Sequence, residues 1–129
     1  MRVALALFAL TLAAAPGASA DTSLRATVWP KGDGTAGKVL RTLRCDPPAG
    51  SVPRPAAACR AVEAGGRAAF RPVPRDTACT QIYGGPAEAL VTGVLDGRRV
   101  WARFNRENGC QINRWQRLVP LLGRAGSGP

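Results

Sequence analysis

The stretch EALVTGVLDGRRVWARF, residues 88–104, decides the fold class. Asp96-Gly97 sits between two runs of β-type residues, and that dipeptide is the strongest short-range signal for a two-residue hairpin turn. Two strands, about Ala89–Leu95 and Arg98–Phe104, should therefore pair antiparallel. Upstream, LRATVWP (24–30) alternates and stops at proline, and KVLRTLRC (38–45) resumes with Val39, Arg41, Leu43 and Cys45 on one face. The turn-rich KGDGTAG (31–37) joins them into a second hairpin. Between the hairpins, AAACRAVEA (56–64) is built of helix formers, with Pro55 suited to its start and Gly65-Gly66 to its end. Phe70 to Arg75 is too proline-rich for a helix or a central strand. Trp115 to Leu122 reads as a last strand and Gly123 to Pro129 as a loose tail. The sum is an α+β domain: an antiparallel sheet of about five strands with one or two helices packed on one face. Trp29, Trp101 and Trp115 are assigned to core packing, with a place in a dimer contact as the alternative.

The first twenty residues, MRVALALFALTLAAAPGASA, carry one positive charge, an apolar segment and a small-x-small ending at Ala18-Ser19-Ala20. That pattern predicts an export signal cleaved before Asp21. Its uninterrupted apolar run is shorter than the roughly 20 residues a bilayer requires. Residues 21–129 then form one domain. Four cysteines remain, Cys45, Cys59, Cys79 and Cys110. In an exported chain an even count reads as two disulfides, and four cysteines allow three pairings. The sequential pairing, Cys45–Cys59 and Cys79–Cys110, is favoured. Its closed loops of about 15 and 32 residues would each restrict the unfolded chain by roughly 3–4 kcal/mol.

Several chemistries are excluded or disfavoured. The chain has no histidine, so no Ser-His-Asp or Cys-His constellation can be built. No C-x-x-C occurs, and no metal or cofactor is expected. The eight carboxylates are dispersed; Asp76 and Glu88 could approach one another, but nothing in their spacing requires it. Residues 32–38, GDGTAGK, satisfy a phosphate-loop spacing, yet Val39 stands where that motif needs Ser or Thr, and a strand follows instead of a helix. An enzyme is not expected. The net charge of +10 invites a nucleic-acid or membrane reading. The arginines are scattered along the chain, however, without a basic run or aromatic interleaving, so neither nucleic acid nor membrane is an expected partner.

One stretch is left over. ACTQIYGGP (78–86) places a cysteine two residues before a glutamine, with glycines and a proline after it. It reads either as a plain connector or as a segment held outward, anchored by sulfur. A rigid, extended peptide loses little ordering entropy when a protease takes it as a strand.

Four pieces in this order, PAAACRAVEAGG (55–66), CTQIY (79–83), VTGVLDGRRV (91–100) and ENGC (107–110), resemble the Streptomyces subtilisin inhibitor-like family of secreted serine protease inhibitors. The resemblance runs from Leu24 to about Leu122. It implies an α+β fold with a five-stranded sheet, sequential disulfides and a homodimer formed through the sheet. It also implies a reactive bond at Gln81–Ile82, with Thr80 on the approach and Tyr83 on the leaving side. Asn108 would support the loop by hydrogen bonding. The implied partner is a secreted serine protease of subtilisin type, met outside the cell. Gln81 stands where members usually carry methionine, lysine or arginine, which points to subtilisin-like over trypsin-like targets. Gly84-Gly85 lengthens the leaving side by one residue and adds flexibility there. The alternative is the same scaffold with a drifted loop, serving as a non-inhibitory binding module or as a glutamine donor to a transglutaminase.

Overall fold

A computed structural model describes residues 21–125; the predicted export signal and residues 126–129 lie outside the described residues. The two hairpins form as read. Strand β1 (Thr22–Trp29) pairs with β2 (Val39–Cys45), and β3 (Glu88–Leu95) pairs with β4 (Arg98–Phe104). The hairpins join through β1 and β3, giving one antiparallel sheet in the order β2-β1-β3-β4. The turn between β3 and β4 takes positive φ at both central residues, +47° at Asp96 and +75° at Gly97, as the strand twist demands. β1 starts two residues earlier than the alternation indicates. Thr22 is drawn in because its hydroxyl accepts from Asp96 N (3.2 Å), while Asp21 O accepts from Gly97 N (2.9 Å).

Every strand alternates, so the sheet has one buried and one open face. Leu24, Ala26, Val28, Leu43, Ala89, Val91, Leu95, Ala102 and Phe104 point into the core. The helices cover that face only. Helix α1 (Pro55–Gly65) begins on its proline and buries Ala58, Cys59 and Val62, and a 3₁₀ turn (Gly66–Phe70) follows and buries Ala69 and Phe70. Cys59 bonds Cys45 at the end of β2, so the first disulfide fixes α1 to the sheet.

The fifth strand is absent: the described residues contain four. Residues 115–122 span the end of one helix, α2 (Gly109–Gln116), a two-residue turn, and a second helix, α3 (Val119–Leu122). Trp115, Leu118, Leu121 and Leu122 are all buried, a spacing of three and four that winds them onto one helical side. Pro120 does not prevent this, because it sits in the first turn of α3, where its missing N–H costs nothing. Gly123 is held too: its carbonyl accepts from Trp115 Nε1 at 2.9 Å, and Ala125 packs on the core, so the chain is still fixed where the tail was expected to begin. Trp115 is a core residue and Trp29 is half-buried, but Trp101 is 64% exposed. It falls on the odd, outward positions of β4, opposite Thr92. On that open face Leu40 is also exposed.

The glycine-rich turn after β1 leads into a strand, as argued against the phosphate-loop reading. Asp33 in that turn donates its N–H to Glu88 Oε2 (2.7 Å) and pairs with Arg103 (3.0 Å), closing one end of the sheet.

Candidate reactive loop

From Arg71 to Ala87 the chain runs without helix or strand, yet it is fixed at several points. Cys79 is bonded to Cys110 in the first turn of α2, with Cα atoms 5.4 Å apart. Gly109, the first residue of α2, donates its N–H to Thr80 O at 3.0 Å. A Cβ on Gly109 would overlap the Thr80 hydroxyl, so glycine is what permits this approach. On the far side, Gly84 N donates to Arg106 O (2.8 Å) and Arg106 Nε donates back to Gly84 O (3.0 Å). A Cβ on Gly84 would stand 2.7 Å from Ile112 Cγ1. The leaving side is therefore pinned at Gly84, despite the two adjacent glycines.

Both clamps come from one short segment, Arg106–Gly109. Between them lie only Gln81, Ile82 and Tyr83, all exposed, with Ile82 at 62% and Tyr83 at 66%. Large apolar side chains held in water on a fixed backbone are an arrangement that a core would normally absorb. Gln81 rests against its own backbone, its Nε2 donating to Cys79 O at 3.4 Å. The side chain of Asn108 is the N-cap of α2, its Oδ1 accepting from Gln111 N at 3.1 Å. Its contribution to the loop is thus by starting the helix from which Gly109 and Cys110 reach Cys79 and Thr80.

Beneath the clamp sits Arg114. It is 8% exposed and has no carboxylate partner among the described ion pairs. Its guanidinium donates to Ala69 O (3.2 Å), Phe70 O (3.2 Å) and Arg103 O (2.6 Å). It also stacks 4.1 Å from the Phe104 ring centroid. Burial lowers its pKa from the ordinary arginine value, but three carbonyls and an aromatic face compensate the charge. Arg114 so joins α2 to the 3₁₀ turn that leads into the loop, and to β4.

Sequence reasoning singled out Cys79, Thr80, Gln81, Ile82, Tyr83, Asn108 and Cys110, and the structure places them in one neighbourhood. Sequence reasoning did not single out Arg106 or Arg114, and it read Gly84 as a source of flexibility, where the structure makes it a fixed point. A lone arginine among sixteen carries no pattern, and a glycine required by a neighbour 28 residues away gives no local signal. Among the described residues no group of three or more His, Cys, Asp or Glu is placed to hold a metal ion. No helix there is long and apolar enough to cross a membrane.

A family model described as subtilisin inhibitor-like matches residues 20–108. Among solved structures the chain is similar to Streptomyces caespitosus sermetstatin, crystallised in complex with Bacillus licheniformis subtilisin, at 27% identity and a TM-score of 0.48, covering 73% of this chain and 90% of that one. No curated protein matches.

Proposed function

The chain belongs to the subtilisin inhibitor-like family, and on that premise we propose that it inhibits serine proteases of subtilisin type by offering Gln81–Ile82 as a substrate-like bond. The observation that carries this reading is the bracket: three exposed residues between two backbone clamps, Thr80 O to Gly109 N and Gly84 to Arg106. A protease binds an extended peptide by backbone pairing and one main side-chain pocket. Gln81 enters that pocket, and Ile82 and Tyr83 lie on the leaving side. Because the backbone is already fixed, binding costs little conformational entropy.

Cleavage does not release the fragments. Cys79–Cys110 and the Thr80–Gly109 bond hold the new carboxyl side, while Gly84 and Arg106 hold the new amine side. The two ends stay at high effective concentration, so resynthesis of the bond competes with dissociation. The protein needs no catalytic group, cofactor or metal for this. The export signal expected at residues 1–20 from the sequence pattern and the two disulfides fit an extracellular site of action. The open sheet face, with exposed Leu40 and Trp101, supports a homodimer formed through the sheet.

Titration of the oxidised mature chain into a fixed amount of subtilisin, followed by mass spectrometry, tests the reading. Stoichiometric loss of activity, with slow cleavage confined to Gln81–Ile82, is the expected result. Rapid cleavage at that bond with undiminished protease activity would overturn it, and would favour a drifted loop whose exposed glutamine serves another partner.

A further inference from the structure

The reactive loop leaves the large positive charge of the chain unexplained, and the structure shows where part of it collects. Two clefts, of about 230 and 280 Å³, adjoin along the 3₁₀ turn and the chain that leaves it, sharing Arg71 and Pro72. Arg67 and Arg99 line the first and Arg117 the second. All four arginines are exposed, and no carboxylate lines either cleft. The ion pair found among the described residues, Arg103–Asp33, involves none of them. Carboxylates gather elsewhere: Asp46, Glu63 and Asp96 line a separate cleft on the far side of Leu95. Exposed like charges that share a cleft without counter-charge make a local positive potential, which favours the approach of an anionic partner.

The position of this strip says which anion. The second cleft is also lined by Thr77 and Cys110, so the strip runs directly into the segment that precedes the bracketed bond. We propose that the strip from Arg67 through Arg71 to Arg117, continued by Arg99 only where the open sheet face is uncovered, is an auxiliary docking surface for carboxylates on the target protease, beside the subsites that take the residues before Gln81. The proposal rests on the inhibitory reading and adds a property of the partner: an acidic surface flanking its active-site cleft. Exposed charges at the rim of an interface act mainly on the association rate, by steering the encounter, and little on dissociation. Ordinary salt screens such steering, since the Debye length is about 10 Å at 0.1 M.

The test compares Arg71→Gln/Arg117→Gln with Arg54→Gln/Arg60→Gln, a pair at and on α1 that removes the same net charge. Stopped-flow association is measured against a subtilisin-type protease of net negative charge and one of net positive charge, from about 20 mM to 500 mM salt. Against the acidic enzyme the strip variant should associate about tenfold more slowly at low salt, converging with the unaltered chain at high salt, with dissociation unchanged. The α1 variant should lose much less, and the basic enzyme should not distinguish the two. Equal losses in both variants would mean that only total charge matters and would overturn the proposal. If the unaltered chain inhibits neither enzyme, the reactive-loop reading falls first and the docking surface with it.

Discussion

Gly109 and Thr80 meet with no room for a side chain between them: the Gly109 N–H reaches Thr80 O at 3.0 Å, and a methyl group on Gly109 would overlap the Thr80 hydroxyl. This contact joins the start of a helix to the residue before the proposed reactive bond, so stability and inhibition should separate when it is disturbed. In Gly109→Ala, alanine is the better helix former by up to about 1 kcal/mol, and the melting temperature should hold or rise slightly. Thr80 must leave its rotamer or shift its backbone, at about 1 kcal/mol. The expected outcome is an inhibition constant against subtilisin raised about tenfold without loss of Tm. A fall in Tm with unchanged inhibition would show that the contact supports only the helix.

On the leaving side, Arg106 makes two bonds to Gly84, one through its backbone and one through its side chain. Arg106→Ala removes only the second, together with the guanidinium that lies 5.8 Å from the Trp115 ring. A lost charge-assisted hydrogen bond costs about 1.5 kcal/mol or somewhat less where, as here, the site is only partly buried. That loosens the new amine end after cleavage. The ratio of cleaved to intact inhibitor, read by mass spectrometry at equilibrium with catalytic protease, should rise five- to tenfold.

On the proposed reading, Gln81 is the residue that sets the pocket preference. A trypsin-type primary pocket has a buried aspartate at its base; the Gln81 amide has no charge to meet it, and leaving that aspartate unpaired costs several kcal/mol. Gln81→Lys should therefore gain inhibition of trypsin by about two orders of magnitude, since 1.4 kcal/mol is tenfold. Subtilisin inhibition should change much less. Gain against trypsin is read directly from inhibition constants, and its absence would place the primary contact at another residue.

Arg114 tests how the base of the loop is held. Its planar guanidinium reaches three carbonyls that diverge in space, which an ammonium group cannot match. Arg114→Lys should cost about 2–3 kcal/mol, roughly 10 °C in Tm for a domain of this size. The pH dependence has a definite sign. Burial lowers this cation's pKa, so its charge is the disfavoured form in the folded state, and stability would rise only as strongly alkaline pH approaches the lowered value. Across the neutral range Arg114 contributes a constant, and the stability difference between variant and parent should be flat there.

Much of the fold was legible because its signals are local. The Asp96-Gly97 turn, the alternation in β1 to β4 and Pro55 at the start of α1 each act within a few residues. The expected last strand, Trp115 to Leu122, failed because only the burial of Trp115, Leu118, Leu121 and Leu122 on one side, which depends on the rest of the fold, reveals helical turns. Trp101 was assigned to the core on residue type, whereas its register opposite Thr92 puts it on the open face. In the loop, the cysteines and the exposed triplet could be read, but the clamps could not. Gly84–Arg106 and Thr80–Gly109 are contacts between residues more than twenty apart, created by the path of the chain and not by any pattern along it.

The two disulfides close loops of different use, and removing each should have different effects. Cys45–Cys59 ties the end of β2 to α1, with Cys59 4% exposed. Cys45→Ala/Cys59→Ala should lower stability by about 3 kcal/mol in the loop-entropy account, yet the protein that remains folded should inhibit as before. Cys79–Cys110 closes the longer loop and is worth about 4 kcal/mol on the same account. It also holds the carboxyl side of the proposed bond to α2. In Cys79→Ala/Cys110→Ala the Thr80–Gly109 hydrogen bond alone would remain there, and once Gln81–Ile82 is cut that end can swing away. The variant should behave as a substrate, with complete cleavage at Gln81–Ile82 and recovery of protease activity within the time that the parent stays bound. Measuring activity recovery at a temperature where both variants are folded separates the two roles, because a merely stabilising disulfide would leave the recovery time unchanged.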